Sequence, residues 1–293
     1  MSRLSVVAII RDAYLFSIHH LGAVIGLIWV PMLLSTVMGF FTFQRYYNDL
    51  IDALATGNAA SLGPSILMML GYLVAALLLY AVMLVSVVQL ALGTRQGGAV
   101  FHFSFGALEW RMFRALAGLV GLGILLMLTV IVIGNPLLTL LGGGHVGEAQ
   151  AGYLLMLALY GLLVAVAPRF LMLLPAVAAA ETAPPLRRCW SLSAGNFWRL
   201  LAVLMAIFLP VLLIASVAET LLAGPAPALN TSSDKMLMLS GLMRARQVLP
   251  LMSGLSFLFS PVLIALFCSA SVSAWRVLNG ETEAANGLII PPP

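Results

Sequence analysis

Six long apolar stretches, separated by short polar segments, run along this chain of 293 residues. Each stretch is long enough for an α-helix to cross the hydrocarbon layer of a membrane, which takes about 20 residues. The predicted spans are residues 21–42, 65–92, 115–141, 152–180, 200–222 and 251–274. The pattern predicts an all-α membrane protein, a six-transmembrane helical bundle that forms one domain over residues 1–278, followed by a flexible tail at 279–293.

Two shorter segments place apolar residues on one face at helical spacing and polar residues on the other. Residues 3–17 carry Val7 on the apolar face, and residues 182–195 carry Cys189 and Trp190 there. Short helices of this kind lie in the plane of the membrane surface, with the apolar face toward the lipid. We therefore expect interfacial amphipathic helices next to the first and fifth spans.

Polar residues and glycine predict where the helices break. Residues 45–63 and 223–250 are predicted as loops, the second with a surface helix in part of its length. Gly195 is expected to end the amphipathic helix before the fifth span. Trp275 and Arg276 follow the sixth span, where they are expected to anchor it at the membrane interface.

The composition excludes an ordinary soluble domain. Hydrophobic residues make up 62% of the chain and charged residues 8%, whereas a soluble domain carries about a quarter charged residues. A soluble fold of this length could not bury so much apolar surface, so lipid is the expected solvent. Cys189 and Cys268 form no metal-binding spacing, and no disulfide, metal or cofactor is expected.

Lysine and arginine are divided unequally between the two sides of the predicted bundle, as the positive-inside rule describes. This rule puts both termini, and the tail at 279–293, in the cytoplasm. Because the net charge of +4 follows this membrane pattern, it does not indicate nucleic acid. The side with both termini carries nine basic residues, which are Arg3, Arg11, Arg95, Arg111, Arg114, Arg187, Arg188, Arg199 and Arg276. The other side carries four, which are Arg45, Lys235, Arg244 and Arg246, and Arg169 lies inside a span.

Three segments that enter odd-numbered spans can be superposed: residues 16–24, 110–119 and 196–204. The superposition places His20 of the first segment with Arg114 of the second and Arg199 of the third. It predicts three parallel hairpin repeats about an axis along the membrane normal. The alternative is coincidence, because any cytoplasmic interface followed by a span has a similar pattern. The sequence leaves both readings open.

One motif resembles a bacterial membrane family. Residues 175–181 form a small apolar run that ends in Glu181, and residues 186–200 read Leu-Arg-Arg-Cys-Trp-Ser-Leu-Ser-Ala-Gly-Asn-Phe-Trp-Arg-Leu. Together they resemble the hallmark of the YciC-like proteins and of the membrane domain attached to some glycerophosphodiester phosphodiesterases. Cys189 stands where that pattern has serine, and Ser193 where it has threonine. The resemblance implies a multi-pass protein of the bacterial inner membrane, and it supplies no catalytic residue.

Arg169 is the one basic residue predicted inside a span, directly after Pro168. A charged side chain at this depth is costly and usually faces the bundle interior or a water-filled cavity. It could hold an anion or a lipid headgroup, or act as a structural residue beside the proline. If the span ends near Ala167, Arg169 lies at the interface instead.

Basic and aromatic residues also collect on the predicted cytoplasmic side. They could bind anionic lipid headgroups, since each basic residue near the surface contributes about 1 kcal/mol. The more common role of such residues is to anchor the topology. The candidate binding residues are Arg111, Arg114, Arg187, Arg188, Trp190, Trp198 and Arg199.

The chain carries no motif that indicates catalysis. Ser253 and Ser256 have no suitably placed base, and no carboxylates pair within a span. We therefore expect a non-enzymatic inner-membrane protein that works in envelope or membrane-lipid homeostasis through its interfacial helices, with lipid and a membrane protein as the possible partners. The alternative is a transporter or channel for a small anionic solute with Arg169 in the pathway.

Overall fold

The computed structural model describes residues 5–94, 105–141, 157, 161, 168, 171–178, 189–190, 193, 195–223 and 235–279. Every regular element in these residues is helical. The elements are α1 (Val6–Thr56), a 3₁₀ turn (Ala59–Leu62), α2 (Gly63–Leu92), α3 (Ala107–Leu141), α4 (Leu173–Ala178), α5 (Phe197–Ala223) and α6 (Lys235–Leu278). Within the described residues, five helices (α1, α2, α3, α5 and α6) are long and apolar enough to cross a membrane. The all-helical fold is confirmed, and its apolar helices are those of an integral membrane protein.

The second and fifth predicted spans correspond closely to helices. α2 covers residues 63–92 and α5 covers residues 197–223, so the bounds differ from the predicted ones by three residues or fewer. Most of the fourth predicted span, residues 152–180, lies outside the described residues. The six-residue helix α4 falls in its last part.

The sequence predicted an interfacial helix at residues 3–17, a span at 21–42 and a loop at 45–63. This division is wrong, because α1 is one continuous helix. At 1.5 Å per residue its 51 residues are about 76 Å long, well over twice the hydrocarbon thickness. The polar residues after the span favour the helix: Arg45 Nε and Asp49 Oδ2, one turn apart, lie 3.6 Å from each other. The helix ends only at Gly57, whose φ of +75° is the left-handed conformation that glycine adopts readily.

A helix in part of the predicted loop 223–250 was expected, and the second half of this segment is helical, but it is continuous with the sixth span and not a separate element. α6 begins at Lys235 and continues without a break through Pro250 and Pro261. Prolines are tolerated in membrane helices because neighbouring helices and local adjustments compensate for the missing backbone hydrogen bond. α6 therefore extends well beyond the predicted span 251–274.

α1 is the central helix and packs against α2, α5 and α6. α6 runs antiparallel to it, since Ser269 near the end of α6 donates a hydrogen bond to the Ala13 carbonyl near the start of α1 (3.4 Å). α2 is also antiparallel to α1, and the rings of Phe43 and Tyr72 meet edge to face at 5.9 Å. The start of α1 and the ends of α2 and α6 therefore lie at the same end of the bundle.

α5 runs parallel to α1. The Tyr14 hydroxyl donates to the Ala206 carbonyl (3.3 Å), and the rings of Phe208 and Phe267 lie 5.9 Å apart. The chain from residue 224 to residue 234 can reach about 38 Å when fully extended. If α5 and α6 were parallel, the end of α5 and the start of α6 would lie on opposite sides of the Phe208–Phe267 contact, about 70 Å apart at 1.5 Å per residue. The connection can span the gap only if the two helices are antiparallel. The start of α5 is thus at the same end as the start of α1.

Most buried apolar side chains lie toward this end, which we call the core end. In α2, all eight residues from Ala81 to Val88 are buried. The buried cluster also takes in Met112 and Ala115 from the first turns of α3. The remaining members are Leu171, Met172, Cys189 and residues of α1, α4, α5 and α6, among them Ile9, Ala13, Ile28, Leu174, Leu200, Ile207, Leu266 and Val272. The opposite end, called the cavity end below, has less buried surface.

The expected interfacial anchor at the end of α6 has a different role. Trp275 is 7% exposed and belongs to the buried cluster, so it does not face the membrane interface. Arg276 Nη2 donates to the carbonyls of Ala91 (3.4 Å) and Leu92 (3.1 Å), the last two of α2. The end of α6 therefore holds the end of α2 by burial and by hydrogen bonds to free carbonyls.

Candidate functional site

The first turns of α3 carry an aromatic cluster next to two arginines. The Gly106 N–H donates to Glu109 Oε2 (2.8 Å), a capping arrangement that fixes the start of the helix. Trp110 stacks on Phe113 with ring centroids 5.0 Å apart and remains exposed. Arg111 and Arg114 follow on the next turn, and Arg114 is exposed.

The first turn of α5 repeats this combination of features. Gly195 has a φ of +80°, so the predicted break before the fifth span is confirmed. The Asn196 carbonyl then accepts hydrogen bonds from the N–H groups of Arg199 (3.1 Å) and Leu200 (3.0 Å). Leu200 is fully buried, whereas Trp198 is 77% exposed. The turn thus anchors one side of the helix in the core and presents tryptophan on the other.

The preceding segment differs from its prediction in one respect. Cys189 and Trp190 were expected on one apolar face, but Cys189 is 1% exposed and Trp190 is 57% exposed. Adjacent residues on a helix point about 100° apart, so one can enter the core while the other faces outward. Only the buried cysteine packs with the core.

Together these residues form a group at the core end, which we call the aromatic–basic belt. It consists of Trp110, Arg111, Arg114, Trp190, Trp198 and Arg199. The start of α5 is at the core end by the chain-reach argument, and the start of α3 contributes Met112 and Ala115 to the buried cluster. Arg187 and Arg188, predicted with this group, lie outside the described residues.

Arg169 also lies outside the described residues. Its neighbour Pro168 is buried.

A cavity of about 290 Å³ lies toward the cavity end, between α1, α2 and α6. Met32, Met83 and Ile264 close its inner side and also belong to the buried cluster. From there it extends to Phe43 and Leu249. The rise from Met32 to Phe43 along α1 is about 16 Å, roughly half the hydrocarbon thickness.

The described lining of this cavity contains no Asp, Glu, Lys, Arg or His. It combines methionine and phenylalanine side chains with hydroxyl groups. Sequence reasoning missed this site and considered Ser253 and Ser256 only as nucleophiles. The available signal was the spacing of Ser253, Ser256 and Ser260, which places three hydroxyls on one face of a span.

Comparisons with protein-family models, with curated protein sequences and with solved structures give no match to this chain.

Proposed function

We propose that this protein is a non-enzymatic inner-membrane protein that works in envelope or membrane-lipid homeostasis. Its aromatic–basic belt binds the anionic headgroups of lipids at the membrane surface. The belt is also the surface that a membrane-protein partner would contact. This role agrees with the resemblance of residues 186–200 to the YciC-like proteins.

The exposure of Trp198 beside Arg199 carries the proposal. Trp198 is 77% exposed although the next turn of α5 is packed in the core. An indole ring has an apolar body and one N–H donor, so it is stable at headgroup level, where one end is apolar and the other is wet. Arg199 and Arg114 add positive charge at that level, and a guanidinium pairs with phosphate through two parallel hydrogen bonds.

The proposal includes the topology expected from the sequence. The chain crosses the bacterial inner membrane six times, in three hairpins, with the core end and both termini in the cytoplasm. The hairpin of α1 with α2 and that of α5 with α6 are antiparallel pairs, as parallel hairpin repeats require. The unequal distribution of arginine supports the orientation.

Lipid that co-purifies with the full chain tests the belt. In nanodiscs that mix phosphatidylglycerol with phosphatidylcholine, the Arg114→Gln/Arg199→Gln variant should retain less phosphatidylglycerol than wild type. Each lost charge should weaken headgroup binding about fivefold, since a basic residue at the surface contributes about 1 kcal/mol. Native mass spectrometry of the bound lipid measures this, and added salt should reduce wild-type binding.

Arg246→Gln is compared with the single variant Arg114→Gln, because Arg246 is also exposed but lies near the start of α6 at the cavity end. Equal loss of phosphatidylglycerol in these two single variants would contradict the proposal. Unchanged binding in the belt variant would contradict it as well.

The alternative of a small-anion transporter with Arg169 in the pathway gains no support from the cavity. Its described lining supplies no positive charge to an anion.

A further inference from the structure

The cavity between α1, α2 and α6 is lined by seven side chains that carry a hydroxyl group. Thr36 donates to the Met32 carbonyl (2.9 Å) and Ser260 to the Ser256 carbonyl (2.5 Å), each within its own helix. The remaining hydroxyls make no hydrogen bond within the described part of the chain. They belong to Ser35, Tyr72, Tyr80, Ser253 and Ser256.

Ser35 is the one buried residue among these five. It is 7% exposed, lines the cavity and has no hydrogen-bond partner among the described residues. A hydroxyl that loses water without gaining a partner costs roughly 1–3 kcal/mol in proteins. The hydroxyls of this cavity are therefore available to hydrogen-bond an occupant with polar atoms.

The rest of the lining defines the chemistry of that occupant. Met32, Met83, Met252 and Phe40 give the walls an apolar surface. No described lining residue carries a formal charge, so a phosphate or an ammonium group would enter without a counter-ion. The arrangement suits an uncharged polar group attached to hydrocarbon.

We propose that the cavity binds a neutral membrane lipid of the diacylglycerol type. Its hydroxyl and ester groups bond the hydroxyls of Ser35, Ser253 and Ser256. Its acyl chains lie in the leaflet at the cavity end, where the lining reaches Phe43 and Leu249. This site goes beyond the proposed function, which concerns the belt at the opposite end.

Photo-crosslinking of the full chain tests the proposal. The protein is placed in phosphatidylcholine nanodiscs that contain a diazirine-labelled diacylglycerol, and crosslinked peptides are identified by mass spectrometry. Labels should appear on the cavity-facing segments of α1, α2 and α6. Unlabelled diacylglycerol should compete them away.

The Ser35→Ala/Ser253→Ala/Ser256→Ala variant should bind the probe more weakly, by about fivefold for each hydrogen bond lost. Ser216→Ala is the matched control, because Ser216 lies in a span outside the cavity and bonds the Leu213 carbonyl of its own helix (3.0 Å). The control should label as wild type does. A second variant, Ser256→Phe, fills the cavity without removing the other hydroxyls and should also abolish labelling.

Three outcomes would overturn the proposal. The first is equal labelling in the triple variant and in Ser216→Ala. The second is labelling of the cavity by a phosphatidylglycerol probe as strongly as by the neutral one. The third is no cavity labelling at all, which would indicate a water-filled space. The belt variant Arg114→Gln/Arg199→Gln should leave cavity labelling unchanged. Failure of the cavity proposal can therefore be distinguished from failure of the proposed function of the belt.

Discussion

At the residue scale, the end of α2 shows how this bundle satisfies backbone groups that a helix leaves free. The last four carbonyls of a helix have no partner within it. Gly93, with a φ of +72°, brings its own N–H and that of Thr94 onto the carbonyls of Leu90 and Gln89 (both 3.1 Å). Arg276 donates hydrogen bonds to the last two carbonyls, those of Ala91 and Leu92, so all four carbonyls at the end of α2 accept a hydrogen bond. One arginine thus completes the cap of a helix that lies far away in sequence.

Removal of that arginine should destabilise the protein measurably. Arg276→Met keeps the aliphatic stem but leaves two carbonyls of α2 without their donor, at a cost of about 1–3 kcal/mol. Thermal unfolding in mild detergent should show a lower midpoint. Arg11→Gln is the control, because the Arg11 side chain is 72% exposed and pairs only with Asp12 at 3.6 Å, a surface pair of little value. Equal midpoints for the two variants would refute the capping role.

At the element scale, the length of α1 is the main departure from expectation. Hydropathy marks where a chain enters lipid, but polar residues do not by themselves end a helix. Ile51 and Ala53 are buried beyond the predicted span, so packing continues there. The Ser65 hydroxyl of α2 donates to the Asp49 carboxylate, which links the two helices at this level.

Proline substitutions test the continuity of α1. Tyr47→Pro should destabilise the protein by about 3 kcal/mol, because it removes a helical hydrogen bond and clashes with the preceding turn. Ala59→Pro should be nearly neutral, since Ala59 is the first residue of the 3₁₀ turn and Asn58 before it is already extended (φ −97°, ψ 95°). Chemical or thermal unfolding compares the two. Similar losses of stability would mean that residues 45–56 do not need to be helical.

At the scale of the whole molecule, the bundle is dense at the core end and open at the cavity end. Both native cysteines are buried in the dense part. They should therefore not react with a membrane-impermeant maleimide in the folded protein. Any labelling then comes from an introduced cysteine and reports the side of the membrane on which that residue lies.

Cysteine labelling in intact cells tests the topology. Ser5 and Thr94 are exposed at the core end, and Thr56 is exposed at the far end of α1. Thr56→Cys should react in intact cells, whereas Ser5→Cys and Thr94→Cys should react only after permeabilisation. Reaction of Ser5→Cys and Thr56→Cys from the same side would show that α1 does not cross the membrane.

The sequence alone determined the helical class, the lipid environment and the bounds of helices such as α2 and α5. These properties are local: a run of apolar residues must bury its backbone polar groups in a helix when lipid surrounds it. It also predicted the turn at Gly195.

Only the tertiary structure decided which side chains face one another. Trp275 was expected at the interface but lies in the core, because the other helices cover it. Ser35 and Ser253 belong to different helices, and only the rotation and antiparallel packing of α1 and α6 bring them to one cavity. Hydropathy is a property of each segment, whereas a cavity or a helix cap made by a distant arginine depends on contacts between segments.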